Sequence, residues 1–284
     1  MDTGRFSQTG SPRPSGDPVR TWRSPRGDLS QVRATGWSRW TLPHPTLVWA
    51  IAAAWAVAVA AEMSGRGQAL HHDALAEGGL PPWAALGLFL VAWQLMIAAM
   101  MLPSSLPLIR LFDRASANQP RPLRAKAAFL GGYVAVWTGF GAVAFLGDLA
   151  IHRAVHRWEW LAARPSLLGG AVLLLAGAFQ FSKLKEACLT VCRHPAGYLL
   201  QHYRRGTSAA FRLGAGHGAF CLGCCWALML VGFAAGVASL WWMAALTAVM
   251  VFEKTGQGGQ RAVRPIGVGL LVLGILLLAS AAAG

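Results

Sequence analysis

The sequence predicts an all-α, polytopic transmembrane helix bundle of about seven spans, and three observations predict it. Hydrophobic residues make up 55% of the chain and charged residues only 13%, with a mean hydropathy of +0.45, outside the range of an ordinary soluble domain. The apolar residues gather into runs near the length of a bilayer crossing, about 17 to 25 residues. None of these runs alternates polar and apolar positions, which excludes strands, and in hydrocarbon the backbone amides must then be paired within each segment as a helix.

The runs follow in order. The first covers about residues 44–61, the second 82–102, the third 127–151 and the fourth 167–181. The fifth is 218–237, the sixth 239–252 and the seventh 265–284. The sixth has only fourteen apolar residues before Glu253, so a re-entrant segment is the alternative, which would leave six spans.

The positions of the basic residues give the orientation. Of the 25 Lys and Arg, twenty-one fall in the amino-terminal tail and after the second, fourth and sixth runs. Only Arg66, Arg153, Arg157 and Arg164 fall on the other side. The positive-inside rule then places the amino terminus in the cytosol and, with seven spans, the carboxyl terminus outside. The same asymmetry accounts for a formal net charge of +14. No aromatic-interleaved basic module or zinc-finger spacing accompanies that charge, so anionic lipid headgroups, not nucleic acid, are the expected partner. Residues 1–40 are rich in Ser, Pro, Gly and Arg and read as a disordered basic cytosolic tail, leaving 41–284 as the transmembrane helical domain.

With this topology the soft side chains arrive at one face. Met96 and Met100 share a stripe at the cytosolic end of the second span, and Met101 follows. Cys188, Cys192 and His194 lie just beyond the fourth span. His217, Cys221, Cys224 and Cys225 open the fifth, and Glu253 closes the sixth. Five cysteines on the reducing side of a membrane argue for metal binding or redox chemistry and against a disulfide framework. Thiolates and thioethers with an imidazole form a soft donor set that suits Cu(I), with zinc as the alternative. At the opposite face Asp148, His152 and His156 recur every four residues, and His71, His72 and Asp73 lie in the other outer loop. They could capture a divalent ion, but the interleaved Arg153, Arg157 and Trp158 equally suit a helix lying at the headgroups.

The stretches "AWQLMIAAMMLPSSLPLI", "KLKEACLTVCRHP" and "CLGCCWALMLVGFAAGVASLWWMAALTAVMVFEKT" resemble the signatures of the domain of unknown function 2182 family, predicted metal-binding integral membrane proteins of bacteria. The resemblance covers about residues 91–256 and implies a multi-pass protein of the bacterial inner, or plasma, membrane. The positions that match its pattern include Met96, Met100, Met101, Lys185, Cys188, Cys192, Arg193, Cys221, Cys224, Cys225, Glu253 and Lys254.

Three readings follow. The first is a copper-handling membrane protein that binds metal through Cys188, Cys192, Cys221, Cys224 and Cys225, with His217, His194, Met96, Met100, Met101 and Glu253 as further candidates. No phosphate-binding loop is present, so a metallochaperone or a membrane partner subunit is expected to supply or receive the ion. The second is a membrane thiol–disulfide oxidoreductase that uses Cys221 and Cys224, with the dipole of a helix N-terminus activating the thiol. The third is a non-catalytic scaffold subunit whose cysteines only pack helices. No serine nucleophile elbow or paired inner carboxylates point to a hydrolase, so a binding protein is expected in preference to an enzyme.

Overall fold

The computed structural model describes residues 45–64, 81–158, 160, 164–234 and 240–283. Among them all regular structure is helical, in ten helices. These are α1 (Pro45–Met63), α2 (Pro82–Met100), α3 (Leu102–Ser116), α4 (Pro122–His156) and α5 (Pro165–Phe179), then α6 (Lys183–Arg193), α7 (Pro195–His202), α8 (Thr207–Ala234), α9 (Leu240–Thr255) and α10 (Gly259–Ala283). The protein is therefore an all-α helical bundle. The basic tail, residues 1–40, and the outer loop with His71, His72 and Asp73 lie outside the described residues.

Among the described residues five helices are long and apolar enough to cross a membrane: α1, α2, α4, α8 and α10. A sixth crossing is counted if α5 and α6, bent by 66° at a short break, form one broken span. The sixth run, α9, is a continuous helix of 16 residues, below the length of those five.

Several boundaries differ from the sequence reading. The basic segment after the second run is no loop. Pro103 and Pro107 remove backbone donors there, and the chain breaks at Met101 before continuing as α3. One face of α3 carries Leu108, Ile109 and Phe112, which join Phe129, Leu199 and Leu213 in a separate small core. Phe112 stacks on Phe129 with centroids 4.7 Å apart. Helix α4 runs past both expected ends and carries Asp148, His152 and His156 on one continuous helix, as their spacing predicts. Helix α10 begins six residues before Pro265. The largest shift is in α8, which starts at Thr207 and not near Gly218: no proline interrupts Thr207 to Ala219, and packing on α4 holds its glycines in the helix.

Helix α8 is the hub of the bundle: it makes the most extensive pairing, with α4, and also packs on α5 and α6. Glycines allow the α4 contact. A Cβ built on Gly214 would run into the Phe129 carbonyl, and one on Gly132 into the Phe211 carbonyl, so the two backbones touch where side chains are missing. The glycine face is turned to α4, and the cysteines of α8 reach α6, α9 and Met101 at the α2–α3 break. Two side-chain hydrogen bonds tie α2 to α4 inside the bundle. Trp93 Nε1 donates to the Trp137 carbonyl at 2.9 Å, and Gln94 Nε2 to Thr138 Oγ1 at 2.8 Å, which fastens α2 to α4. Leaving such a group unpaired costs about 1–3 kcal/mol.

Candidate metal centre

All five cysteines are free thiols, and four of them are buried. Helix α8 supplies three. Cys221 and Cys225 lie one turn apart on one stripe, and Cys224 is turned toward α6. Helix α6 is held against them by its own sequence. Ser182 caps it by accepting from the Lys185 amide at 3.1 Å, and its amphipathic pattern buries Lys185, Cys188 and Leu189 together. A Cβ on Gly223 would lie 2.6 Å from Cys188 Sγ, so the glycine between Cys221 and Cys224 admits that sulfur against α8. One turn later Cys192 Sγ reaches Cys224 Sγ at 4.0 Å.

The second half of the cluster centres on Lys254, which is buried near the end of α9. Its ammonium lies 3.1 Å from Cys221 Sγ and 3.8 Å from Cys225 Sγ. It also lies 3.7 Å from Met101 Sδ and 3.4 Å from Ser104 Oγ at the α2–α3 break. Cys225 Sγ is itself 3.7 Å from Met101 Sδ. Soft sulfurs from the α2–α3 break, α6 and α8 thus meet beside one fixed cation.

The thiols of Cys224 and Cys225 both turn back to donate to the Cys221 carbonyl, at 3.1 and 2.8 Å. In this arrangement no three His, Cys, Asp or Glu side chains among the described residues converge to hold an ion. The two-thiol pair does have a suitable span. With a metal–sulfur distance of about 2.3 Å, two thiolates on one ion lie about 3.8 Å apart at a tetrahedral angle and about 4.6 Å apart when linear. The 4.0 Å of Cys192 and Cys224 falls between these limits.

The other candidates separate into two groups. Met96 and Met100 are buried in the same core as the cysteines. Glu253 is buried as well, but its carboxylate is taken by a 2.7 Å ion pair with Lys185 and by a 3.3 Å hydrogen bond from Gln180 Nε2. The helix partner of Glu253 is therefore Lys185, while the adjacent Lys254 faces the sulfurs. His217 is buried one layer out. Its Nε2 is 3.2 Å from Ser105 Oγ, and its ring stacks on Tyr133, whose hydroxyl is 3.4 Å from Cys221 Sγ. His194 is exposed at the end of α6, with Nδ1 2.8 Å from the Thr190 carbonyl.

Sequence reasoning missed Tyr133, Ser104 and Ser105 and left Lys254 to the family pattern. The signal was present: a tyrosine inside an apolar run and a Ser-Ser pair directly after Met101 are polar groups that require buried partners. The oxidoreductase reading loses its helix-dipole basis. Cys221 lies fourteen residues beyond Thr207, about 20 Å into α8, whereas the dipole effect fades within the first turn.

A helical bundle with helices long and apolar enough to cross a membrane, and with a buried cluster of sulfurs inside it, defines the class. The sequence model of the PpoB2 family, described as a copper chaperone, matches residues 90–277, and this chain belongs to that family. No curated protein and no solved structure gives a significant match. The family is a metal-related one, as the motifs led us to expect, and metal handling with copper as its object is the role its description carries.

Proposed function

We propose that this protein is a multi-pass membrane copper chaperone that binds Cu(I) through cysteine sulfur at the cytosolic end of its bundle and passes it to a partner. The observation that carries this reading is the approach of Cys192 to Cys224 and of Cys225 to Met101, with Cys221 beside them around Lys254, from separate parts of the chain. Thiolate with thioether is the donor chemistry that Cu(I) prefers, and two sulfurs at 4.0 Å can share one ion after small rotamer changes. Copper is the cargo here, so a site that must gather its ligands suits release as well as capture. The domain of unknown function 2182 resemblance over about residues 91–256 lies inside the matched 90–277, and we take both to describe this same core.

The basic flanks support an orientation with the cluster toward the cytosol, where thiols stay reduced and anionic headgroups attract Lys and Arg. The bacterial inner membrane is the setting that the motifs imply. The exposed His194 and the half-buried Cys192 mark the edge of the cluster, and a metallochaperone or a membrane subunit would approach there.

The test is the metal content of anaerobically purified protein, by elemental mass spectrometry. Wild type is compared with the variant that carries serine at Cys188, Cys192, Cys221, Cys224 and Cys225. Stoichiometric copper that disappears in the variant is expected. Copper absent from wild type after loading, or retained undiminished by the variant, refutes the reading.

A further inference from the structure

Lys254 poses a problem of charge. An ammonium is costly to bury without a negative partner, and the one carboxylate beside it, Glu253, is occupied by Lys185 and Gln180. What Lys254 Nζ touches is instead Met101 Sδ, Ser104 Oγ, Cys221 Sγ and Cys225 Sγ, at 3.1 to 3.8 Å. A fixed positive charge thus stands inside the ligand cluster, among atoms that a soft metal would use.

We propose that Lys254 determines the charge of the ion the centre accepts, so that the site selects a monovalent soft ion over a divalent one; this rests on the metal-binding reading above. Two thiolates, one Cu(I) and the ammonium sum to zero. The same two thiolates with Zn(II) leave one uncompensated positive charge in a buried site. Neutrality around a divalent ion requires a third thiolate. The geometry supplies a pair of thiols and not a triple: Cys192 and Cys224 are 4.0 Å apart, while no three His, Cys, Asp or Glu side chains converge among the described residues. Charge and geometry therefore favour the same ion. Lys254 acts as a specificity-determining residue through its field, without being a ligand.

The full-length protein in detergent is titrated with Cu(I) and with Zn(II) against competing chromophoric chelators, for wild type, Lys254→Gln, Lys254→Met and Lys254→Arg. The Cu(I)-over-Zn(II) affinity ratio is expected to fall by about tenfold or more in the Gln and Met variants, through a gain in Zn(II) affinity. Arg, which keeps the charge, is expected to retain most of the ratio. Unchanged ratios in Gln and Met variants that still bind Cu(I) overturn the role of Lys254 and leave the copper reading intact. A comparison within wild type does not depend on the folding of any variant: Ag(I) must be preferred to Cd(II), two soft ions that differ in charge, and a preference for Cd(II) overturns the proposal. Wild type that binds none of these ions overturns the copper reading and this inference with it.

Discussion

Glu253→Leu removes the negative half of an ion pair whose two side chains are only 1% and 2% exposed. Lys185 would keep its charge with no carboxylate in reach, and breaking a buried pair from one side costs about 3–5 kcal/mol. Lys185→Met strands the Glu253 carboxylate and should cost about the same. The double variant Lys185→Met/Glu253→Leu removes both charges and fills the space with apolar atoms, so it should fall within about 1 kcal/mol of wild type or above it. The coupling energy, the two single costs together less that of the double, is then about 5–10 kcal/mol. Equilibrium unfolding in mixed micelles, followed by circular dichroism, gives all four stabilities. The pair also fixes α6 to α9, and with it Cys192 relative to Cys224 and Lys254, so copper retention should drop in each single variant and return in the double. Single variants that cost less than about 1 kcal/mol, as an exposed pair would, refute the reasoning. A double variant as unstable as the sum of the singles does so as well.

Three further outcomes are expected. Cys192→Ser and Cys224→Ser should each lower copper stoichiometry in elemental analysis more than Cys188→Ser does, because only the first two form the 4.0 Å pair. His194→Ala should leave copper content unchanged, since its ring is exposed and bonded to the Thr190 carbonyl, and a loss of copper would bring it back as a ligand. Gly214→Leu should separate α8 from α4, where a Cβ already meets the Phe129 carbonyl, and should cost about 3 kcal/mol or more in the micelle unfolding assay. Gly139→Leu, with open space around its Cβ, is the control that should cost far less.

Fold class was legible in the sequence because it depends on composition and run length, both local. Apolar runs without alternation can be satisfied only by helices, and α1, α2, α4, α8 and α10 stand where five of the seven runs were read. Segment ends were less legible. Hydropathy marks where apolar residues stop and not where backbone hydrogen bonding stops, so it missed α3 altogether and the first eleven residues of α8, Thr207 to His217.

By itself the sequence determined which side chains were the candidates: five cysteines and a methionine stripe, near matching ends of their apolar runs. That much follows from residue type, spacing and chain direction. Tertiary structure alone decided the pairing. Cys192 meets Cys224 across 32 residues, Lys254 meets Cys221 across 33 and Met101 across 153, and Glu253 takes Lys185 in place of its own neighbour. These partners depend on helix rotation, and rotation is set by where side chains are absent. Glycines at Gly132 and Gly214 turn one face of α8 toward α4, and Gly223 admits Cys188. A periodicity can show that a stripe exists, but only packing against a particular neighbour shows what it faces.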